Sequence, residues 1–269
     1  MIYLKSENEI EKMRESALIV SRTLAEVGKY IEPGIETGKL DRIAEEYVAK
    51  NNAQPAFKGY GPAGNEFPAT LCISVNEEVV HGIPGKRKLK EGDVVSIDCG
   101  VEKNGYFGDH AYTFAVGDCD ENTMALLKAT LESLYKGIEQ AVHGNRIGDI
   151  ANAIQSHCED AGFGVVRDLV GHGLGKALHE DPSVPNFGRK GKGERLRTGM
   201  TLAIEPMITM GSWKTETLND GWTVVTADQS YAAHYEHDVV VREGKAEILS
   251  TFDYITELLE KKENIVYYG

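Results

Sequence analysis

Five side chains able to hold cations stand in stretches that otherwise read as core. Asp98 and Asp109 lie in V-V-S-I-D-C-G-V-E-K-N-G-Y-F-G-D-H-A-Y-T-F (94–114), His172 in G-H-G-L-G, Glu205 in T-L-A-I-E-P-M and Glu236 in A-H-Y-E-H-D-V-V-V. An ionised carboxylate among apolar neighbours needs a partner. Taken singly, each has a plain structural reading: His172 as a hydrogen-bonded core histidine, each Glu as half of a salt bridge. Together, two Asp, two Glu and one His form a carboxylate-rich donor set suited to two divalent cations. Such ions sit about 3.5–4 Å apart, share bridging carboxylates and lower the pKa of a shared water. An oxygen-rich set with one imidazole suits Mn, Fe or Co, admits Zn, and disfavours the thiolate sites of structural zinc. His81 and His179 fall in loops, where they can touch a substrate without binding metal.

The two Asp must be held by a hairpin. Apolar and β-branched runs flank Asn104-Gly105, a strong short hairpin signal. With that pair as the turn, Asp98 lies opposite Ala111, and Asp109, two residues along, points to the same face. With Lys103-Asn104 as the turn, the two Asp become direct cross-strand partners, still on one face. Like charges so placed repel. A shared proton, a basic side chain or metal ions would neutralise them; a wet sheet edge would simply solvate them.

Around the hairpin the periodicities alternate between helix and strand. Ser6 with Glu9 forms a capping-box pattern, followed by a stripe of Ile10, Met13, Ala17, Val20, Leu24 and Val27 that Pro33-Gly34 ends. A second helix is expected from Thr37 to about Asn51, with Leu40, Ile43, Ala44, Tyr47 and Val48 inward. A Gly-, Pro- and aromatic-rich loop (53–70) precedes strands at 71–75 and 78–80. Helices follow at about 121–142 and 148–161, then strands at 165–170, 200–208, 222–227 and 232–241. Gly34, Gly38 and Leu40 recur as Gly144, Gly148 and Ile150 at an offset of 110 residues. Each pair of helices is followed by strands. The expectation is one domain, 1–269, of α+β class, built from two pseudo-repeat halves at about 6–118 and 120–250 with a site at their junction.

Composition narrows the function. The 269-residue chain, 41% hydrophobic, can bury a substantial core, and a net charge of −13 argues against nucleic-acid binding through the whole surface. Four scattered cysteines (Cys72, Cys99, Cys119, Cys158) without C-x-x-C pairing suggest reduced thiols and a cytoplasmic setting. No apolar run reaches membrane-spanning length and no signal segment opens the chain. G-H-G-L-G-K fails as a phosphate loop, because Val170 replaces the first glycine and Ala177 the Ser/Thr. H-E-x-x-H and G-x-S-x-G are absent.

The series N-E-E-V-V-H-G-I-P (76–84), I-D-C-G with G-D (98–109), V-G-H-G-L-G (170–175), H-E-D-P (179–182), A-I-E-P-M (203–207), D-G-W-T-V (220–224) and Y-E-H (235–237) resembles type I methionine aminopeptidase across nearly the whole chain and in the family's order. The resemblance implies a pita-bread fold, two pseudo-symmetric α+β halves with antiparallel sheet around a dinuclear metal site. It implies two divalent metal ions (Co, Mn, Fe or Zn) and removal of the initiator methionine ahead of a small second residue. Asp98 would chelate one ion, His172 and Glu205 the other, and Asp109 and Glu236 would bridge them. Glu205 would also relay the proton from the attacking water to the leaving amine. His179 would stabilise the tetrahedral intermediate and His81 would contact the scissile amide. The methionine pocket would draw on Tyr60, Phe67, Cys72 and Trp222, with Phe57 nearby.

The chain departs from the family pattern at Leu178, in a longer loop 61–67 and at His234, which bear on the pocket's shape more than on its chemistry. Expected partners are nascent polypeptide N-termini, with transient ribosome contact through the basic loops 86–90 and 189–197, no membrane, and a monomeric state. The rivals are an Xaa-Pro aminopeptidase or prolidase of the same fold, and a non-catalytic binding protein on it. The first usually carries an extra N-terminal domain, and this chain has only about five residues before its first helix; the second usually loses metal ligands, and all five are present.

Overall fold

Capping and periodicity place the first helix as expected. In the computed structural model, which describes residues 1–260, α1 spans Glu7–Gly28, and the Ser6 amide donates to Glu9 Oε2 at 2.9 Å. The six stripe residues from Ile10 to Val27 are all fully buried. Helix α2 (Thr37–Lys50) buries Leu40, Ala44 and Val48, while Ile43 and Tyr47 at the edge of its stripe stay half-exposed.

Short β1 (Gln54–Pro55) is followed by β2 (Leu71–Val75), β3 (Glu78–Val80), β4 (Val94–Lys103) and β5 (Tyr106–Ala115). The β4–β5 hairpin turns at Asn104-Gly105, with φ of 55° and 79°. Two successive positive φ values give the turn whose twist suits a tight hairpin. Asp98 therefore faces Ala111, the first of the two registers the sequence allows. β4 lies at the centre of its sheet, with β5 on one side and β2 and β1 on the other.

Two more helices, α3 (Glu121–Gln140) and α4 (Ile147–Asp160), precede the remaining strands. These are β6 (Gly164–Val165), β7 (Gly171–Gly173), β8 (Glu180–Val184), β9 (Thr201–Ile204) and β10 (Met207–Thr209), then β11 (Thr215–Thr217), β12 (Val224–Thr226), β13 (Ala232–His234), β14 (His237–Val240) and β15 (Glu247–Ile248). Helix α5 (Asp253–Leu259) follows. One sheet runs β15-β14-β9-β7-β8; two smaller ones run β13-β10-β6 and β11-β12-β3. A contiguous apolar core joins Leu24, Leu40, Ile97 and Phe114 to Leu134, Ile150, Leu202 and Val239.

The second-half strands correct the sequence reading. The run expected at 200–208 is two strands, broken at Glu205-Pro206, and the run at 232–241 is broken at Tyr235-Glu236. Pro206 has no N–H to give a ladder, which accounts for the first break. At the second, the Glu236 amide leaves its own sheet and donates to Ala111 of β5 at 3.0 Å. Of the strand expected at 165–170 only Val165 forms, together with Gly164 in β6. Strands β7, β8, β11 and β15 and helix α5 arise in stretches for which the sequence predicts no element, and β1 within the loop expected at 53–70.

Candidate metal centre and its cleft

The two breaks aim Glu205 and Glu236 at the face of the hairpin that carries Asp98 and Asp109. His172 arrives on β7, which is squeezed between β8 and β9. A Cβ on Gly171 would lie 2.4 Å from the Ala203 carbonyl oxygen, and one on Gly173 2.3 Å from that of Asp181, so only glycine allows this approach. His172 Nδ1 lies 2.8 Å from the carbonyl of Gly173. Donation there fixes the tautomer and leaves the Nε2 lone pair facing the carboxylates. Nε2 is 3.7 Å from Glu205 Oε1 and 3.9 Å from Asp109 Oδ2.

Asp109, His172 and Glu236 each offer a ligand atom within 4.8 Å of the others. Asp98 and Glu205 line the same cavity of about 300 Å³. Among the described residues, no Lys or Arg pairs with any of these four carboxylates. Asp98 Oδ1 and Glu236 Oε1 are buried with no hydrogen-bond partner. Burial pushes the Asp98 carboxyl up to about 7 and Glu205 up to about 8. It also raises Asp109 and Glu236 well above the carboxylate range, and the neighbouring carboxylates add to both. Burial lowers His172 to about 3, so its imidazole is neutral and free to ligate. Four crowded carboxylates, orphaned oxygens and a neutral imidazole with its lone pair inward fit a divalent-cation centre.

All the other residues expected at the site reach the same cleft. Phe67 and Cys72 are buried in one apolar cluster with Phe57 and Leu178, and Trp222 packs against it. The rings of Phe67 and Trp222 meet edge to face at 5.3 Å. The Trp222 Nε1–H donates to the Asn65 carbonyl at 3.1 Å, so the long 61–67 loop backs the indole. The Tyr60 hydroxyl lies 2.6 Å from His179 Nδ1, and the His179 ring sits 4.3 Å from that of His172. His81 occupies a left-handed backbone conformation, φ 58°, facing Trp222. A non-glycine residue held there is strained, as residues at functional sites often are. Cys99 is buried in the main core and does not line the cleft, as strand alternation requires.

Two further buried groups adjoin the centre. Asp238, fully buried on β14, accepts the Asp109 amide at 2.8 Å through Oδ2, and its Oδ1 has no partner. It stands two residues after Glu236, and that alternation was a signal available in the sequence. His234 is buried with neither ring nitrogen hydrogen-bonded, Nε2 being 3.5 Å from Glu205 Oε2. It is thus a neighbour of a candidate ligand rather than part of the apolar pocket.

This fold and donor set define a metallopeptidase, and the comparisons with known proteins agree. Residues 11–243 match the model of metallopeptidase family M24, and the chain belongs to that family. Membership implies use of divalent metal. The chain is 55% identical to the methionine aminopeptidase of Clostridium perfringens over 93% of this chain and 99% of that protein. It is 50% identical to methionine aminopeptidase 1 of Bacillus subtilis, over 93% of this chain and 99% of that one. The crystal structure of the methionine aminopeptidase from Thermotoga maritima superposes with a TM-score of 0.90 at 47% identity, over 93% of this chain and all of that one. An X-Pro aminopeptidase from the same organism shares the fold alone: TM-score 0.72 and 20% identity, with 62% of its length covered.

Proposed function

We infer that this chain is a methionine aminopeptidase, a metal-dependent exopeptidase that removes the N-terminal methionine from polypeptides with a small second residue. The observation that carries this reading is an oxygen-rich donor set opening onto an apolar, aromatic cleft of about 300 Å³. Cys72, Phe67 and Trp222, with Tyr60 at the mouth, give a thioether side chain apolar and aromatic surface. The Xaa-Pro reading shares only the fold with its solved examples at 20% identity.

Asp98, Asp109, His172, Glu205 and Glu236 would hold the metal, which we take to be two ions of Co, Mn, Fe or Zn. When bound, the metal supplies Lewis-acid polarisation of the carbonyl and a more acidic water. Glu205 takes the proton from the attacking water and passes it to the departing amine, a role suited to a carboxyl already pushed up to about 8. With the Tyr60 hydroxyl donating to His179 Nδ1, the ring keeps its proton on Nε2 and offers it to the carbonyl oxygen as that atom gains charge. Burial holds His179 below its usual pKa, so it acts as a neutral donor. His81 orients the scissile amide.

We read residues 1–269 as one catalytic unit of two halves, about 6–118 and 120–250, meeting at this donor set; residues 261–269 lie outside the described part. No helix among the described residues is long and apolar enough to cross a membrane. We propose a cytoplasmic, monomeric enzyme that meets nascent N-termini, its exposed basic loops 86–90 and 189–197 being the surface for ribosome contact.

The test is a peptide panel, Met-Ala-X against Ala-Pro-X, after metal removal and with Mn, Fe, Co or Zn restored. Cleavage of Met-Ala-X only with metal is expected. Undiminished turnover after thorough metal removal would overturn the mechanism, and preference for Ala-Pro-X would favour the sister activity.

A further inference from the structure

The cleft does not end at the donor set. Val170, His172 and His179 also border a second, larger hollow of about 960 Å³ that continues outward from the site. One wall is the segment before α1, with Tyr3 and Leu4; the opposite wall is the 176–183 segment, including β8, the edge strand of its sheet. The N-terminal wall is anchored rather than loose. Lys5 Nζ lies 2.5 Å from Glu180 Oε2, with only 6% and 10% of the two side chains exposed. The Lys5 amide donates to Gly199 at 2.8 Å, and Glu180 Oε1 accepts the Lys176 amide at 2.8 Å. One carboxylate thus ties both walls together.

The lining is unusual for open surface. Among the described residues, eight large apolar side chains stand exposed; four of them (Met1, Tyr3, Leu4 and Val170) line this groove, and a fifth, Tyr60, lines the cleft beside it. Scattered apolar side chains on a surface are ordinary, but their concentration along one channel marks an interaction site. The occupant follows from continuity. A polypeptide whose first residue fills the aromatic cleft and whose scissile bond lies at the donor set must leave through an opening that borders both.

We propose that this groove is an extended binding site for the substrate chain beyond its third residue, with Tyr3, Leu4 and Val170 gripping side chains at about the fourth and fifth positions. Affinity for polypeptide then grows with substrate length, and apolar residues at those positions are favoured.

This rests on the aminopeptidase reading, and the experiment separates the two. Metal-loaded protein is assayed on the tripeptide Met-Ala-Ser and on an octapeptide that begins Met-Ala-Ser and carries Leu and Phe at positions four and five. The unaltered protein should show a KM for the octapeptide about tenfold below that for the tripeptide, as expected for burying one or two apolar side chains. The double variant Tyr3→Ser/Leu4→Ser, which touches no candidate ligand, should erase most of that advantage while leaving kcat and KM for the tripeptide unchanged. A non-cleavable octapeptide analogue with a photoreactive group at position four should cross-link to residues 1–5 or to the 170–183 segment. Tripeptide cleavage without any length dependence, or cross-links only elsewhere, would overturn the groove. Failure to cleave the tripeptide at all would overturn the aminopeptidase reading instead.

Discussion

Glu205 shows how much a single position is asked to do. It follows β9 beside a proline, faces His172 on one oxygen and His234 on the other, and is the carboxyl whose pKa burial pushes up to about 8. Glu205→Gln keeps the shape and removes the proton carrier. We expect a folded protein whose kcat on Met-Ala-Ser falls at least about a hundredfold, within the range for losing general acid–base catalysis. Retention of kcat within about tenfold would remove Glu205 from that role. At this scale the sequence was informative: carboxylates in apolar runs were visible anomalies, and all five reach one cavity. Asp238 and His234 show the limit. A buried acid two residues after a candidate ligand and an imidazole beside one reveal their neighbours only after folding brings β5, β9, β13 and β14 together.

At the level of elements, legibility followed length. Helices α1 to α4 and the β4–β5 hairpin carry enough turns or alternations to declare themselves, and Asn104-Gly105 fixes the register of the hairpin. The three-residue strands β7 and β11 are too short for any period to show. β8 carries Pro182 and exposed polar side chains, which mask it as loop. The break at Glu205-Pro206 is set locally by the proline, whereas the one at Tyr235-Glu236 runs against local strand propensity and is decided by the tertiary contact of Glu236 with Ala111. β7 is closely packed on both sides, and Gly173→Ala tests it by placing a methyl 2.3 Å from the Asp181 oxygen. We expect a loss of about 1–3 kcal/mol, the usual cost of overpacking, with weaker metal binding because His172 moves with its strand. Gly85→Ala is the control, since a Cβ there meets nothing within 4 Å. Equal thermal stability of the two variants would show that β7 tolerates displacement.

For the molecule as a whole, the donor set links folding to pH and metal. Asp98 at about 7 and Glu205 at about 8 lie above the values near 4 that carboxyls have in an unfolded chain. Above about pH 6.5 the buried histidines are neutral in both states and the metal-free folded protein holds more protons than the unfolded one, so its stability must fall as pH rises from about 6.5 to 8; at lower pH the histidines, whose pKa values burial depresses, oppose the carboxyls. Each such proton contributes a slope of about 1.4 kcal/mol per pH unit. Divalent metal should reverse the trend by favouring the ionised carboxylates. Melting temperatures measured from about pH 6.5 to 8, with chelator and with Mn or Co, should diverge as pH increases. A metal-free protein equally stable at both ends of that range would show that the four carboxylates find another partner.

The orphaned oxygens of Asp98 and Glu236 carry a last consequence, for metal supply. If the resting protein shields its crowded carboxylates with protons, loading is an ion exchange: a divalent cation enters and protons leave. The heat of loading, measured in two buffers of different ionisation enthalpy, would count the protons released at each pH. The loaded fraction would then depend on the acidity of the surroundings as well as on the metal at hand, so a modest fall in pH could silence part of the enzyme with no change in metal content.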